Sequence, residues 1–139
     1  MNKYILGMIA IIIILGLGVF LSSSGEVESE SISDLNISTN LTQSLNDSEK
    51  LNKPVMIFFT SDSCYYCDEF KDKTLSDDRV VSKINNEYIF VSVNIKNDPQ
   101  SAQEFEAYST PTIVILNPEG DETFRLVGYK SPDEFLSSL

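Results

Sequence analysis

The feature that most constrains the fold is a set of three short apolar runs, separated by segments with helical spacing. The runs are "PVMIFFT" (54–60), "YIFVSVNI" (88–95) and "TIVILN" (112–117). Each is shorter than an ordinary helix and rich in β-branched and aromatic residues, which favours a strand. None shows the strict apolar–polar alternation of a strand with one wet face, so both faces should be covered. The sequence therefore predicts a central sheet with helices on both sides.

The segments between these runs carry the residues that begin helices and turns. The predicted helix starts are Leu41, Ser63, Ser76, Asp98 and Ser131. Serine and aspartate accept the free N–H groups of a first helical turn, and Pro99 occupies a first-turn position that suits proline. The sequence "PEGD" (118–121) predicts a turn, so residues 122–128 should return antiparallel to the third run. This order of elements predicts one α/β domain.

The N-terminal segment, residues 1–24, is predicted to be a signal-anchor helix. Tyr4 to Leu21 is uncharged and nearly all apolar, and as a helix it would be about 27 Å long, close to the roughly 30 Å hydrocarbon core of a bilayer. Lys3 precedes it and three glutamates follow it, at 26, 28 and 30. Because positive residues stay cytoplasmic, the rest of the chain is expected on the extracytoplasmic side. The alternative is a cleaved signal peptide, with secretion after cleavage near Gly25.

Residues 25–39 are rich in serine and acidic residues and predict a flexible tether before a domain at 40–139. Sequons for N-glycosylation begin at Asn36, Asn40 and Asn46. In an exported protein these asparagines are candidates for glycosylation. The alternative is that a segment rich in Asn and Ser forms such sequons by chance.

Charge and composition exclude several classes of function. The formal net charge is −11, with no histidine among the 139 residues. Nucleic-acid surfaces need clustered Lys and Arg, so no nucleic-acid partner is expected. A structural zinc site usually takes four Cys or His ligands, and this chain offers two cysteines. We therefore predict no metal site and no cofactor beyond a redox-active cysteine pair.

The two cysteines, Cys64 and Cys67, form a C-x-x-C motif directly after the first apolar run. A purely structural disulfide is one alternative, although a bond closing so short a loop stabilises little. The redox interpretation is favoured because Cys64 begins a helix, where free N–H groups and the helix dipole stabilise a thiolate. Cys67 lies one turn later, within reach of a mixed disulfide on Cys64. This spacing predicts Cys64 as nucleophile and Cys67 as resolving thiol.

From the first run onward the chain resembles the thioredoxin-like family. The resemblance rests on a strand, C-x-x-C, a helix, then "TPT" (110–112) before a hairpin, Gly128 and a closing helix, over about residues 40–139. It implies a three-layer α/β/α sandwich with a central mixed sheet. It also implies that Pro111 is cis and lies, with Thr110, beside the cysteines, where backbone pairs with an extended substrate.

The departures from the family pattern concern the residues around the cysteines. Tyr65 and Tyr66 replace the usual Gly-Pro, and are predicted to shape the substrate-facing rim. Phe58 stands where thioredoxins bury an acid that accepts the proton of the second cysteine. Ser92 stands where they carry its lysine partner. The resemblance is therefore nearer to membrane-anchored, extracytoplasmic thiol–disulfide oxidoreductases than to thioredoxin itself.

The predicted function is thiol–disulfide exchange on protein substrates outside the cytoplasm, with a membrane thiol-electron donor or acceptor as partner. Asp62, Asp68 and Glu69 surround the cysteines with negative charge, which disfavours the thiolate and therefore favours disulfide reduction over oxidation. Two alternatives stay open. One is a non-catalytic binding module that uses the groove near Pro111, and the other is a disulfide oxidase or isomerase.

Overall fold

The computed structural model describes residues 34–139. The predicted signal-anchor helix, residues 1–24, and the first part of the predicted tether, residues 25–33, lie outside the described residues. Within residues 34–139 no helix is both long enough and apolar enough to cross a bilayer.

The centre of the domain is a five-stranded mixed sheet. Its strands are β1 Ile37–Ser38, β2 Val55–Thr60, β3 Ile89–Asn94, β4 Thr112–Leu116 and β5 Glu122–Val127. They lie in the order β1-β3-β2-β4-β5. Strands β1, β3 and β2 are parallel, whereas β4 runs antiparallel to both β2 and β5. The three buried strands and the closing hairpin predicted from the apolar runs are therefore confirmed.

Within residues 34–139, five helices and one π-helical turn surround the sheet. The helices are α1 Leu41–Leu51, α2 Tyr65–Glu69, α3 Asp78–Glu87, α4 Pro99–Glu104 and α5 Pro132–Ser138, and the π-helical turn Phe70–Thr74 continues directly from α2. The helix predicted to begin at Ser63 is thus present, but after Glu69 it is wound more widely, as the π-helical turn.

Both faces of the sheet are packed, as expected for strands without polar alternation. Every residue of β2 is buried. Met56 and Phe58 belong to one apolar cluster, with side chains of the π-helical turn, α3 and α5. Ile57 and Phe59 belong to a second cluster on the other face, with side chains of α1 and of the segment after α4. The result is the predicted three-layer sandwich, with β2 at its centre.

Two of the predicted helix caps are displaced by one residue. Ser63 has a φ of 59°, a left-handed conformation outside the helix, and Cys64 is the cap of α2. Asp77 rather than Ser76 caps α3, because its carboxylate accepts the N–H of Arg79 at 3.0 Å. The caps predicted at Asp98 and at Ser131 are confirmed.

The predicted tether does not extend to residue 39. Leu35 is buried, and the short strand β1 pairs with Phe90 and Val91 of β3. The side chain of Asn85 accepts the N–H of Asn36 at 3.0 Å and so ties this segment to α3. Pairing along the edge of β3 satisfies backbone groups that would otherwise face solvent, which offsets the entropy of ordering a polar segment. The ordered domain therefore includes residues 34–39.

Candidate active site

The cysteine pair lies where β2 ends and α2 begins. Residues 61–63 form a short loop. The left-handed backbone at Ser63 turns the chain so that Cys64 becomes the N-cap of α2. Cys64 and Cys67 form a disulfide with a Cα–Cα distance of 5.2 Å. The central, fully packed strand β2 thus holds the motif at one end of the sheet.

The two sulfurs differ in their access to solvent. Cys67 is 0% exposed and belongs to the apolar cluster beneath α2. Cys64 is half-buried and packs against the margin of the same cluster. Reactive cysteines occupy partly exposed positions. In this pair, only Cys64 has the access that an attack on a protein substrate requires.

Three polar groups surround the sulfur of Cys64. The backbone N–H of Cys67 donates to it at 3.2 Å, as expected for the free donors of a first helical turn. The hydroxyl of Thr110 donates to it at 3.3 Å, and the carbonyl oxygen of Thr110 lies 3.5 Å away. The hydroxyl of Ser61 lies 3.1 Å from that of Thr110. Ser61 was not among the predicted site residues, since no local pattern indicates a contact with a residue 49 positions away.

Thr110 lies beside Cys64, and Pro111 directly follows it in the chain. The substrate-binding role that the resemblance implied for both residues stays a prediction. The peptide bond between them is cis. The N–H of Gly128 donates to the carbonyl oxygen of Pro111 at 2.8 Å, which joins the end of β5 to this loop. Gly128 has a φ of 87°, a conformation that favours glycine. The loop is therefore held from both sides, by Cys64 and by Gly128.

The floor beneath the cysteines is apolar. Phe58 is 0% exposed and stacks on Phe70 and Phe90, with ring centroids 5.8 Å and 6.2 Å apart. Ser92 pairs with Phe58 in the parallel register of β2 and β3. At this site, the position of the family's buried acid is a packed aromatic ring, which offers no acceptor for the proton of Cys67.

An acidic cavity of about 520 Å³ opens beside the active-site loop, at the carboxyl ends of β2 and β3. Asp62, Asp68, Lys71 and Asp98 contribute its charged lining groups. Asp62 accepts a hydrogen bond from the amide of Asn94 at 2.9 Å. Three carboxylates and one ammonium give this cavity a net negative charge, and two of the three acids predicted to surround the cysteines, Asp62 and Asp68, line it.

Aromatic side chains are exposed next to the motif. Tyr65 and Tyr66 are 67% and 60% exposed, and their rings meet edge to face at 5.4 Å. Tyr108, two residues before Thr110, is 77% exposed and was not among the predicted site residues. Exposed tyrosines are well suited to protein contacts. The predicted role of Tyr65 and Tyr66 in binding substrate stays a prediction.

In the part of the chain that the structure describes, acidic and thiol groups do not converge on a metal-binding arrangement. Over residues 34–139 there is no group of three or more His, Cys, Asp or Glu side chains placed to hold a metal ion.

Thiol–disulfide exchange requires one accessible sulfur and a second sulfur within reach of it. Cys64 and Cys67 meet both requirements, which defines this protein as a thiol–disulfide oxidoreductase. The chain belongs to the thioredoxin-like domain family, whose pattern matches residues 41–139. The fold and enzyme class predicted from the sequence are confirmed.

Curated relatives include proteins named thiol:disulfide interchange protein DsbD. The one from Campylobacter jejuni (strain RM1221) is 30% identical over 90 residues, which cover 63% of this chain and 16% of the relative. The one from Photorhabdus laumondii is 34% identical over 74 residues, or 51% of this chain and 13% of the relative. The matches therefore span less than a fifth of the length of these relatives.

Solved structures share the fold. A thioredoxin from Thermus thermophilus has a TM-score of 0.68 and 27% identity, covering 76% of this chain and 84% of its own. A DsbH oxidoreductase has a TM-score of 0.67 and 18% identity, covering 84% and 90%. The oxidised C-terminal domain of DsbD from Neisseria meningitidis has a TM-score of 0.63 and 22% identity, covering 73% and 95%.

Proposed function

We propose that this protein reduces disulfides in protein substrates outside the cytoplasm, with Cys64 as the attacking thiol and Cys67 as the resolving thiol. The observation that carries the proposal is the asymmetry of the pair. Cys64 is half-buried and accepts hydrogen bonds from the N–H of Cys67 and the hydroxyl of Thr110, whereas Cys67 is fully buried. Donors of this kind stabilise a thiolate, which is the form that attacks.

The proposed cycle begins with both cysteines reduced. The Cys64 thiolate attacks one sulfur of a substrate disulfide, so that a bond from Cys64 to the substrate forms and the substrate's own S–S bond breaks. The released substrate thiolate takes up a proton. Cys67 then loses its proton and attacks the sulfur of Cys64, which releases the second substrate thiol. Two electrons pass to the substrate, and the Cys64–Cys67 disulfide remains.

The electrostatic surroundings support the direction. Strong oxidants of this kind stabilise the reduced thiolate, and Asp62 and Asp68 work against it at this site. Glu69, which follows Asp68, forms a salt bridge with Lys73 of the π-helical turn. A weaker stabilisation of the thiolate corresponds to a lower reduction potential. The lack of an acid at Phe58 argues against reduction, because no side chain at that position can accept the proton of Cys67. In this proposal the effect of the Asp62 and Asp68 charges on the reduction potential is the larger of the two.

The location is inferred from the N-terminal segment. Lys3 before Tyr4–Leu21 and the glutamates after it favour a domain held on the extracytoplasmic side. A membrane thiol-electron donor would then re-reduce the Cys64–Cys67 disulfide after each turnover. The relatives named thiol:disulfide interchange protein support a partner that exchanges thiols.

The roles of the two cysteines can be tested by trapping. Cys67→Ser should accumulate mixed disulfides between Cys64 and substrate proteins, because the resolving step is lost. Cys64→Ser should trap none, since its remaining thiol is buried. Non-reducing electrophoresis of extracts with acid-quenched thiols measures both. Equal trapping by the two variants would refute the assignment.

The direction and the location need separate measurements. Equilibration with glutathione gives the reduction potential of the Cys64–Cys67 couple, and a value near about −120 mV, typical of a strong oxidant, would overturn the proposed reduction.

For location, an impermeant maleimide should label Cys64 in intact cells after mild reduction. Labelling only after lysis would contradict an extracytoplasmic domain, and a mature N-terminus near Gly25 would indicate cleavage.

A further inference from the structure

The geometry points to Ser61 as a positioning residue that acts through Thr110 to stabilise the thiolate of Cys64. The hydroxyls of Ser61 and Thr110 are 3.1 Å apart, and that of Thr110 lies 3.3 Å from the Cys64 sulfur. Both contacts are partly buried. The three side chains thus form a chain of two hydrogen bonds that ends on the sulfur. This inference rests on the proposed role of Cys64 as the attacking thiol.

The direction of the chain follows from counting protons. A hydroxyl carries one proton and accepts through its lone pairs. If Thr110 donates its proton to the sulfur of Cys64, the contact between the two hydroxyls must be filled by the proton of Ser61. Ser61 therefore donates to Thr110, which orients the Thr110 proton toward the sulfur and strengthens its donation.

Thr110 offers the sulfur an acceptor as well as a donor. Its carbonyl oxygen lies 3.5 Å from the sulfur of Cys64. A protonated thiol has a hydrogen to donate to that oxygen, whereas a thiolate has none and is repelled by it. The hydroxyl of Thr110 is then the side-chain donor that favours the anion. Because hydrogen bonds to an ionised acceptor are roughly twice as strong as neutral ones, the hydroxyl favours the thiolate over the disulfide and the thiol.

The chain of hydroxyls matters because of the charge of the site. Asp62 and Asp68 make the surroundings of Cys64 negative, and the protein has no histidine to offset them. Neutral hydroxyls stabilise the thiolate through directed dipoles and add no net positive charge. They favour the attacking form of Cys64, and because they stabilise the reduced state they also raise the reduction potential of the pair.

The test compares Ser61→Ala, Thr110→Val and the double variant. In a Cys67→Ser background a single thiol remains, and its ultraviolet absorbance against pH gives the midpoint of thiolate formation. Thr110→Val should lower the acid dissociation constant of Cys64 about tenfold, and Ser61→Ala about twofold to fourfold. When Thr110→Val or Ser61→Ala is made in the protein with both cysteines, the reduction potential of the Cys64–Cys67 couple should become more negative. A tenfold change in the acid dissociation constant of Cys64 corresponds to a shift of up to about 30 mV.

The double variant decides whether Ser61 acts through Thr110. Its shift should equal that of Thr110→Val alone, since Ser61 has nothing left to orient. Thr110→Ser, which keeps the hydroxyl, should stay near the wild type and covers the case in which Thr110→Val folds poorly. Ser63→Ala, which removes an exposed hydroxyl beside Cys64, is the matched control and should shift nothing.

Two results would overturn the inference: an unchanged midpoint and potential in Ser61→Ala, or additive shifts in the double variant. Both measurements use equilibrium titrations without a substrate. They therefore remain informative if trapping shows that the proposed substrate class or direction is wrong, and a failure of either proposal is recognised separately.

Discussion

Truncating Phe58 should be among the most damaging single changes in the domain. Phe58 lies at the centre of β2, is 0% exposed, and stacks on Phe70 from the π-helical turn and on Phe90 from β3. Its ring therefore joins the sheet to the segment that carries the cysteine motif. Phe58→Ala would leave a cavity directly beneath that segment.

The magnitude follows from how little the site can relax. Removing a fully buried phenylalanine side chain costs about 3–5 kcal/mol. Strand β2 is hydrogen-bonded to β3 on one side and β4 on the other, so its backbone cannot move in to fill the space, and we expect the upper half of that range. Domains of this size have a net stability of about 5–15 kcal/mol. The variant should thus lose about a quarter or more of its free energy of unfolding.

Urea unfolding of the oxidised protein, followed by circular dichroism, measures this loss. Phe124→Ala makes the same truncation at a half-buried position of the edge strand β5 and should cost about 1–2 kcal/mol. Equal losses in the two variants, or a loss below about 2 kcal/mol for Phe58→Ala at unchanged denaturant slope, would refute the packing argument.

Three further outcomes are expected. Replacing Tyr65 and Tyr66 together by alanine should lower kcat/KM several-fold for a protein disulfide, while exchange with a small disulfide changes little; equal losses would argue against a substrate-facing rim. Gly128→Ala should destabilise the fold by about 1–2 kcal/mol, because an L-residue is strained at its φ of 87°, and unchanged thermal unfolding would contradict this. Hydrogen bonds from Ser101 hold the pKa of Asp98 below its ordinary 3.8. The Asp98 carboxylate should therefore stabilise the fold above about pH 4 and cease to do so as pH falls through its folded pKa. Asp98→Ala should then cost about 1 kcal/mol at pH 7, and a cost unchanged at pH 3 would refute that reasoning.

Local signals in the sequence were sufficient for most of the secondary structure. The apolar runs predicted β2, β3 and β4 because strands covered on both faces need uninterrupted apolar residues. The helix start at Asp98 was predicted because its side chain bonds N–H groups only a few residues away. The same locality explains why Cys64 was placed at a helix start, and why the first of two cysteines was predicted to attack.

The errors lie where the outcome depends on packing. The short strand β1 was predicted to be part of a tether, because two residues carry too little pattern to indicate a strand. Its pairing with β3 exists only once that edge is exposed by the assembled sheet. Likewise, Ser63 was a better cap than Cys64 by residue type, but the turn out of β2 places Ser63 in a left-handed conformation.

The sequence by itself determined the α/β class, the order of the strands along the chain, and a C-x-x-C pair whose spacing allows one thiol to resolve the other. Only the tertiary structure decided which groups surround the sulfur of Cys64. Ser61 and Thr110 are 49 residues apart, and they meet because β2 and β4 are neighbours in the sheet, with both residues at the same end. Contacts of that kind depend on the register of paired strands, which local residue preferences do not specify.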